Sequence, residues 1–219
     1  MDREMILSKV DHTLLKPIAT WKQIAALCDE AVANNTASVC IPPCYVGRVS
    51  EKYGKKLTVC TVVGFPLGYE TTKGKVADTV QCLEDGAEEI DMVINIAEVK
   101  NGNYDYVRNE IKAIREVVGD KILKVIIETC YLTDEEKIKL CKIVTECNAD
   151  YIKTSTGFGT NGATIEDIRL FANNIGADVK IKAAGGIRTM EEAVAYLEEG
   201  CSRIGASSVL ADVNAKCVE

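Results

Sequence analysis

Asp11-His12-Thr13-Leu14-Leu15-Lys16-Pro17 is the stretch that decides between two parallel-sheet folds. It begins at the end of the first of eight short β-branched runs, which alternate along the chain with longer segments of helical period. Such alternation predicts a parallel sheet covered by helices. An open nucleotide-binding sheet would carry a glycine-rich turn here, of the form GxGxxG or GxxxxGK[ST], and residues 11–17 contain no glycine. The sequence therefore favours a closed (β/α)8 TIM barrel over a doubly wound open sheet.

The predicted strands and helix ends follow from local patterns. The strand candidates are Lys9–His12, Ser38–Ile41, Leu57–Val63, Glu89–Val93, Ile122–Glu128, Tyr151–Thr154, Val179–Ala183 and Arg203–Ala206. Residues expected to cap helix N termini are Thr20, Thr133, Thr164 and Thr189. Glycines expected to end helices in a left-handed conformation are Gly86, Gly119, Gly176 and Gly200. No linker divides the chain, so we expect residues 1–219 to form one α/β domain.

Composition excludes several classes of protein. Hydrophobic residues make up 47% and charged residues 27% of the 219 residues, which is a globular balance rather than a disordered one. The net charge of −7 argues against nucleic acid or an anionic membrane surface as a partner. The apolar runs are far shorter than the roughly 20 residues of a membrane span, and no signal peptide is visible. We expect a cytoplasmic protein.

Ten cysteines and a single histidine limit the chemistry. No two cysteines form a CxxC pair, and nothing directs the chain to an oxidising compartment, so free and mostly buried thiols are predicted. His12 alone cannot build a metal centre of two or three histidines. We expect no metal and no cofactor, although a metal held by carboxylates alone stays open at this point.

Three charged residues lie inside predicted buried strands: Asp91 in the fourth, Lys153 in the sixth and Lys182 in the seventh. Each lies near the carboxyl end of its strand, where the active sites of such barrels are found. Burying an unpaired charge costs several kcal/mol, so these residues need a reason to be there. A structural ion pair or triad inside the barrel is the alternative. Lys180 lies on the same face of the seventh strand as Lys182 but nearer the amino end of the strand, away from the expected active site, and we assign it a structural role.

Two lysines near one acid suggest amine chemistry. A lysine attacks a carbonyl only when it is neutral, and at neutral pH this requires its pKa to fall by about 3 units from about 10.4. A second ammonium about 4 Å away supplies roughly 4 kcal/mol of repulsion at an effective dielectric constant near 20, which is enough. The argument is symmetric, so it does not say which lysine is the nucleophile.

Glycines and serines at the last strand ends suggest a phosphate site. Gly185 and Gly186 follow the seventh strand, Ser207 and Ser208 follow the eighth, and Gly157 follows the sixth. Backbone N–H groups and hydroxyls in this position hold phosphate in many barrels. Turn glycines and helix-capping serines are the alternative. Together with the lysines, these residues predict a phosphorylated carbonyl substrate and Schiff-base chemistry.

Several motifs fall, in order, on the predicted strand ends. They are Asp11–Lys16, Gly64–Gly68, Glu89–Asn95, Ile126–Thr129, Ile152–Phe158, Lys182–Thr189 and Arg203–Gly205. With this set the chain resembles the deoxyribose-phosphate aldolase family over nearly its whole length. Departures from the family pattern are Val209 after the serine pair, Ile41-Pro42-Pro43 after the second strand, and a short tail, Leu210–Glu219, without a terminal tyrosine.

The resemblance implies a metal-free class I aldolase that cleaves 2-deoxy-D-ribose 5-phosphate to D-glyceraldehyde 3-phosphate and acetaldehyde. It makes Lys153 the Schiff-base lysine, Lys182 the perturbing cation and part of a proton relay, and Asp91 the acid/base. Asp11 would support the water relay or contact the sugar hydroxyls, with a strand-end hydrogen-bond acceptor as the alternative. Homodimers are common in the family.

Two other functions remain open at this point. One is another Schiff-base aldolase or transaldolase that acts on a ketose phosphate. The other is a non-catalytic binder of phosphosugars in which the lysines only neutralise the ligand.

Overall fold

Eight parallel strands close into a barrel in the computed structural model, which describes residues 1–210. The strands are β1 Val10–Thr13, β2 Ser38–Ile41, β3 Val59–Val63, β4 Glu89–Val93, β5 Ile122–Ile126, β6 Tyr151–Lys153, β7 Lys180–Ala184 and β8 Arg203–Ala206. Each strand pairs with the next, and β8 closes the barrel on β1, with His12 beside Ala206. The predicted (β/α)8 barrel is confirmed. The predicted short tail lies beyond residue 210, outside the described residues apart from Leu210 itself.

Helices follow the strands around the barrel. Those of residues 1–210 are α1 Arg3–Leu7, α2 Trp21–Ala33, α3 Val46–Tyr53, α4 Thr72–Glu84, α5 Ile96–Lys100, α6 Tyr104–Val118, α7 Asp134–Glu146, α8 Ile165–Ala172 and α9 Met190–Glu198. The side chains between the helices and the strands are mostly aliphatic and form a continuous core. No helix in the described part of the chain is both long and apolar enough to cross a membrane.

The predicted strands and helix caps agree closely with the structure. Strand boundaries differ by no more than two residues at either end, and β5 stops at Ile126 because Glu128 adopts a left-handed conformation with φ of 53°. The predicted threonines all cap helices through their side chains: Thr20, Thr133, Thr164 and Thr189. Three of the four glycines predicted to be left-handed have positive φ: Gly86, Gly119 and Gly200.

Gly176 was predicted to be a left-handed helix end, and this is wrong. It is not among the positive-φ glycines, and α8 already ends at Ala172. A Cβ atom on Gly176 would lie 2.4 Å from Cγ2 of Thr145, whose hydroxyl accepts a hydrogen bond from the Gly176 N–H at 2.9 Å. Close approach to α7 therefore explains the glycine, and its backbone angle does not.

The cysteines of the described residues are free thiols, as predicted. Seven of the nine are buried, while Cys44 is exposed and Cys130 is partly exposed. Cys217 lies outside the described residues.

We expect Thr133→Ala to lower the free energy of unfolding by about 1 kcal/mol, because the side chain caps the N terminus of α7 in a reciprocal pair with Glu136. Urea denaturation measures the change. Thr133→Ser keeps the capping oxygen and should retain most of the stability. Equal losses in both variants would contradict the capping role.

Candidate active site

Strand register brings the three charged residues of the predicted site together inside the barrel. Lys153 ends β6, and its partner at the same level of β7 is Lys182. The Nζ atoms of both lysines lie within hydrogen-bond distance of one oxygen of Asp91 in β4, Oδ2, at 2.6 Å for Lys153 and 2.7 Å for Lys182. Asp11 of β1 also contacts the Lys182 amine. Two buried ammonium groups therefore share one carboxylate oxygen.

The network is larger than the sequence analysis predicted, because it also contains Lys124, Glu89 and Arg203. Lys124 Nζ lies 2.7 Å from Oδ1 of Asp91 and 2.6 Å from Oε2 of Glu89. Arg203 reaches Glu89 at 3.1 Å and also contacts Asp11. Lys124 could have been found by the signal that identified Lys153, a charge within a predicted buried strand.

Charge balance distinguishes the members of this network. Three carboxylates face four cations, so the fully charged network carries one excess positive charge. Burial raises the pKa of Asp91, but the nearby ammonium groups of Lys124, Lys153 and Lys182 lower it by more than burial raises it. The pKa of Asp91 therefore lies well below its usual range. Burial lowers the pKa of Lys182, but Asp11 and Asp91 outweigh it and raise the pKa overall. Asp91 and Lys182 therefore stay charged at neutral pH.

A cavity of about 320 Å³ opens above this network at the carboxyl ends of the strands. Lys153 lines it, whereas Lys182, Asp91 and Asp11 are fully buried and do not. Of the predicted catalytic residues, Lys153 is thus the one that a bound molecule could touch directly.

The predicted phosphate-binding residues surround the same cavity, with one exception. Gly157, Gly185, Gly186 and Ser207 line it. The three glycines have φ between 82° and 84°, a conformation that turns the backbone sharply at the strand ends and that other residues rarely adopt. Ser208 does not line the cavity, and its hydroxyl donates instead to the carbonyl oxygen of Arg188 at 3.3 Å.

Glu128 is a site residue that the sequence analysis quoted only within a motif. It is buried, and its carboxylate accepts hydrogen bonds from the backbone N–H of Thr156 at 3.1 Å and from the Thr156 hydroxyl. Burial raises its pKa. Thr156 lines the cavity between Lys153 and Gly157, so Glu128 fixes the segment that carries both.

Two sets of buried groups have spacings that a metal ion could bridge: Cys40, Cys60 and Asp91, and Asp11, Cys60 and Glu89. The Lys124 ammonium already lies 2.7 Å from Asp91, 2.6 Å from Glu89 and 3.2 Å from the Cys60 sulfur. A metal ion at either place would have to compete with this lysine for its ligands.

A TIM barrel with paired lysines at the carboxyl ends of its strands has the architecture of a lysine-dependent aldolase. The model of the DeoC/LacD family aldolases matches residues 5–214, and the chain belongs to this family. The resemblance found from the motifs is confirmed.

Named relatives agree with this assignment. A deoxyribose-phosphate aldolase of Clostridium botulinum (strain Alaska E43 / Type E3) is 64% identical over 207 residues, which cover 94% of each chain. That of Clostridioides difficile (strain 630) is 55% identical over 93% of each chain. The tetrameric deoxyribose phosphate aldolase of Aeropyrum pernix has a TM-score of 0.91 at 29% identity, covering 98% of this chain and 93% of its own.

We expect Lys124→Met to lower the free energy of unfolding by about 3 kcal/mol or more, because it removes the ammonium that bridges Glu89 and Asp91 and leaves buried carboxylate oxygens of both residues without that partner. Urea denaturation provides the measurement. Lys55→Met, at an exposed lysine, is the control and should change stability by less than about 0.5 kcal/mol. Equal stability of the two variants would argue against the network as described.

Proposed function

We propose that this protein reversibly cleaves 2-deoxy-D-ribose 5-phosphate to D-glyceraldehyde 3-phosphate and acetaldehyde through a Schiff base on Lys153. One observation carries the proposal: Lys153 lines the cavity while it shares an Asp91 oxygen with the buried Lys182. The relatives named as deoxyribose-phosphate aldolases, up to 64% identical, support the choice of substrate.

The reaction begins when neutral Lys153 attacks C1 of the open-chain sugar and water leaves to form an iminium ion. Loss of one proton from Lys153 leaves three cations against three carboxylates, so that the buried network becomes neutral. Lys182 contacts two carboxylates, which keep it charged. Among the described residues Lys153 forms a salt bridge only with Asp91, and it is the lysine of this network that lines the cavity, so we assign the attack to Lys153.

Cleavage breaks the C2–C3 bond as the C3 hydroxyl loses its proton, and the bonding electrons flow into the iminium to give an enamine. Three cations hold the pKa of Asp91 low, so a proton would not rest there. Lys182 is also protonated already, so a water molecule accepts the C3 hydroxyl proton and later returns a proton to the enamine carbon. Lys182 takes part in this relay as a hydrogen-bond donor, and Asp91 holds both amines in place. Protonation of the enamine and hydrolysis of the resulting imine release acetaldehyde.

The other end of the substrate is held at the glycine turns. Backbone N–H groups near Gly185, Gly186 and Gly157, with the Ser207 hydroxyl, are placed to bind the 5-phosphate. This contact fixes the distance between the phosphate and C1, which keeps the carbonyl near Lys153.

We assign the protein to the cytoplasm, acting without a metal, a cofactor, a nucleic acid or a membrane. The tetramer named for the Aeropyrum pernix relative supports self-association, and a homodimer is the assembly we propose.

Borohydride reduction in the presence of acetaldehyde should trap the Schiff base as N-ethyl-lysine, which adds the mass of C2H4 to Lys153. Peptide mapping by mass spectrometry locates the adduct. Lys153→Arg should lose both the adduct and turnover, because a guanidinium stays protonated and cannot form the imine. An unmodified wild-type protein would favour a phosphosugar binder, whereas an adduct without acetaldehyde release from 2-deoxyribose 5-phosphate would favour an aldolase for ketose phosphates.

We expect Lys182→Met to shift the acidic limb of the kcat/KM profile upward by about one pH unit or more, because the network then carries no excess positive charge while Lys153 is protonated. Rate measurements across pH provide the test. Lys180→Met is the matched control on the same strand, since Lys180 is exposed and packs on the ring of Tyr151. The control profile should stay unchanged, and an unchanged Lys182→Met profile would contradict the charge coupling.

A further inference from the structure

Lys16 lies at the rim of the catalytic cavity, three residues beyond the end of β1. Closure of the barrel places its loop beside the phosphate end of the site, because β1 pairs with β8 and His12 lies level with Ala206, the residue before Ser207. Two backbone hydrogen bonds fix the loop: Leu14 N–H to the Cys40 oxygen at 3.0 Å, and Ala19 N–H to the Lys16 oxygen at 2.9 Å. The backbone of Lys16 is therefore anchored, while its side chain is exposed.

The charged side chains that line the cavity are all positive. Among the described residues that line it, Lys16 and Lys153 are the only charged ones, and no carboxylate is present. Lys153 is bound to Asp91 at the floor, whereas no described residue forms a salt bridge or hydrogen bond with the Lys16 amine. The cavity thus has an uncompensated cation at its rim.

A phosphate monoester brings about −1.5 to −2 charges at neutral pH. The remaining groups at that end, which are backbone N–H groups at glycines and the Ser207 hydroxyl, are neutral. They can orient the phosphate, but they cannot match its charge. Lys16 is the free cation on the neighbouring loop that can.

We propose that Lys16 binds the 5-phosphate and sets the preference of the enzyme for phosphorylated over free sugars, an inference that rests on the proposed function. Its exposed position makes the contact partly solvated, so its contribution is that of a charge-assisted hydrogen bond weakened by water. Lys16 then acts on substrate selection, and the Schiff-base chemistry stays with Lys153.

The test compares kcat/KM for 2-deoxyribose 5-phosphate with kcat/KM for 2-deoxyribose. In Lys16→Met the ratio of the two should fall about tenfold, chiefly through a higher KM for the phosphate ester. Lys16→Arg should restore most of the ratio because it keeps the charge, and Lys55→Met should leave it at the wild-type value. Equal losses on both substrates, or no loss on either, would overturn the proposal.

Inorganic phosphate provides a second measurement that does not depend on turnover. Its binding to the wild type, followed by calorimetry, should weaken about tenfold in Lys16→Met and should weaken as salt rises. Unchanged phosphate binding in Lys16→Met would overturn the role of Lys16. A wild type that binds phosphate through Lys16 but does not release acetaldehyde would keep this inference and reject the proposed substrate.

Discussion

One carboxylate oxygen, Oδ2 of Asp91, allows two lysine side chains to be buried side by side. Two ammonium groups about 4 Å apart repel each other by roughly 4 kcal/mol at an effective dielectric constant near 20, and desolvation adds to that cost. A shared acceptor offsets both. Once Asp91 is committed in this way, its other oxygen is taken by Lys124, and Lys182 needs Asp11 as a second partner. The rest of the network follows from that first requirement.

The structure distinguishes Lys153 from Lys182, which the sequence alone leaves equivalent as candidate nucleophiles. Either lysine could perturb the other, and strand position alone does not separate them. In the structure Lys182 is fully buried between Asp11 and Asp91, whereas Lys153 has one carboxylate and a face on the cavity. Access and the number of counter-ions therefore divide the two roles. Because Lys153 is the member of the network that lines the cavity, its amine is the one that a substrate carbonyl can reach.

The fold could be read from sequence because parallel strands are buried on both faces and alternate with amphipathic helices. The site could be read only in part. The charge of Lys124 within the apolar strand β5 is visible in the sequence, but its pairing with Asp91 depends on the β4–β5 register, which no local pattern contains. Gly176 was mistaken for a helix end because its reason is a contact with Thr145, a tertiary approach between distant segments. Local signals fixed the strands, and the missing features depend on which strands become neighbours.

The strand pairing that closes the barrel also brings the residues of the active site together. Asp11 in β1 meets Lys182 in β7 and Arg203 in β8, partners that lie 171 and 192 residues away along the chain. An open sheet built from the same elements would separate β1 from β8 and leave Asp11 buried without these cations, at a cost of several kcal/mol. The network thus disfavours the open sheet that the strand pattern alone allows. Lys16, five residues beyond Asp11, lies at the rim of the cavity because of the same strand pairing. The pairing of β1 with β8 therefore positions both Asp11, within the buried network, and Lys16, at the cavity entrance.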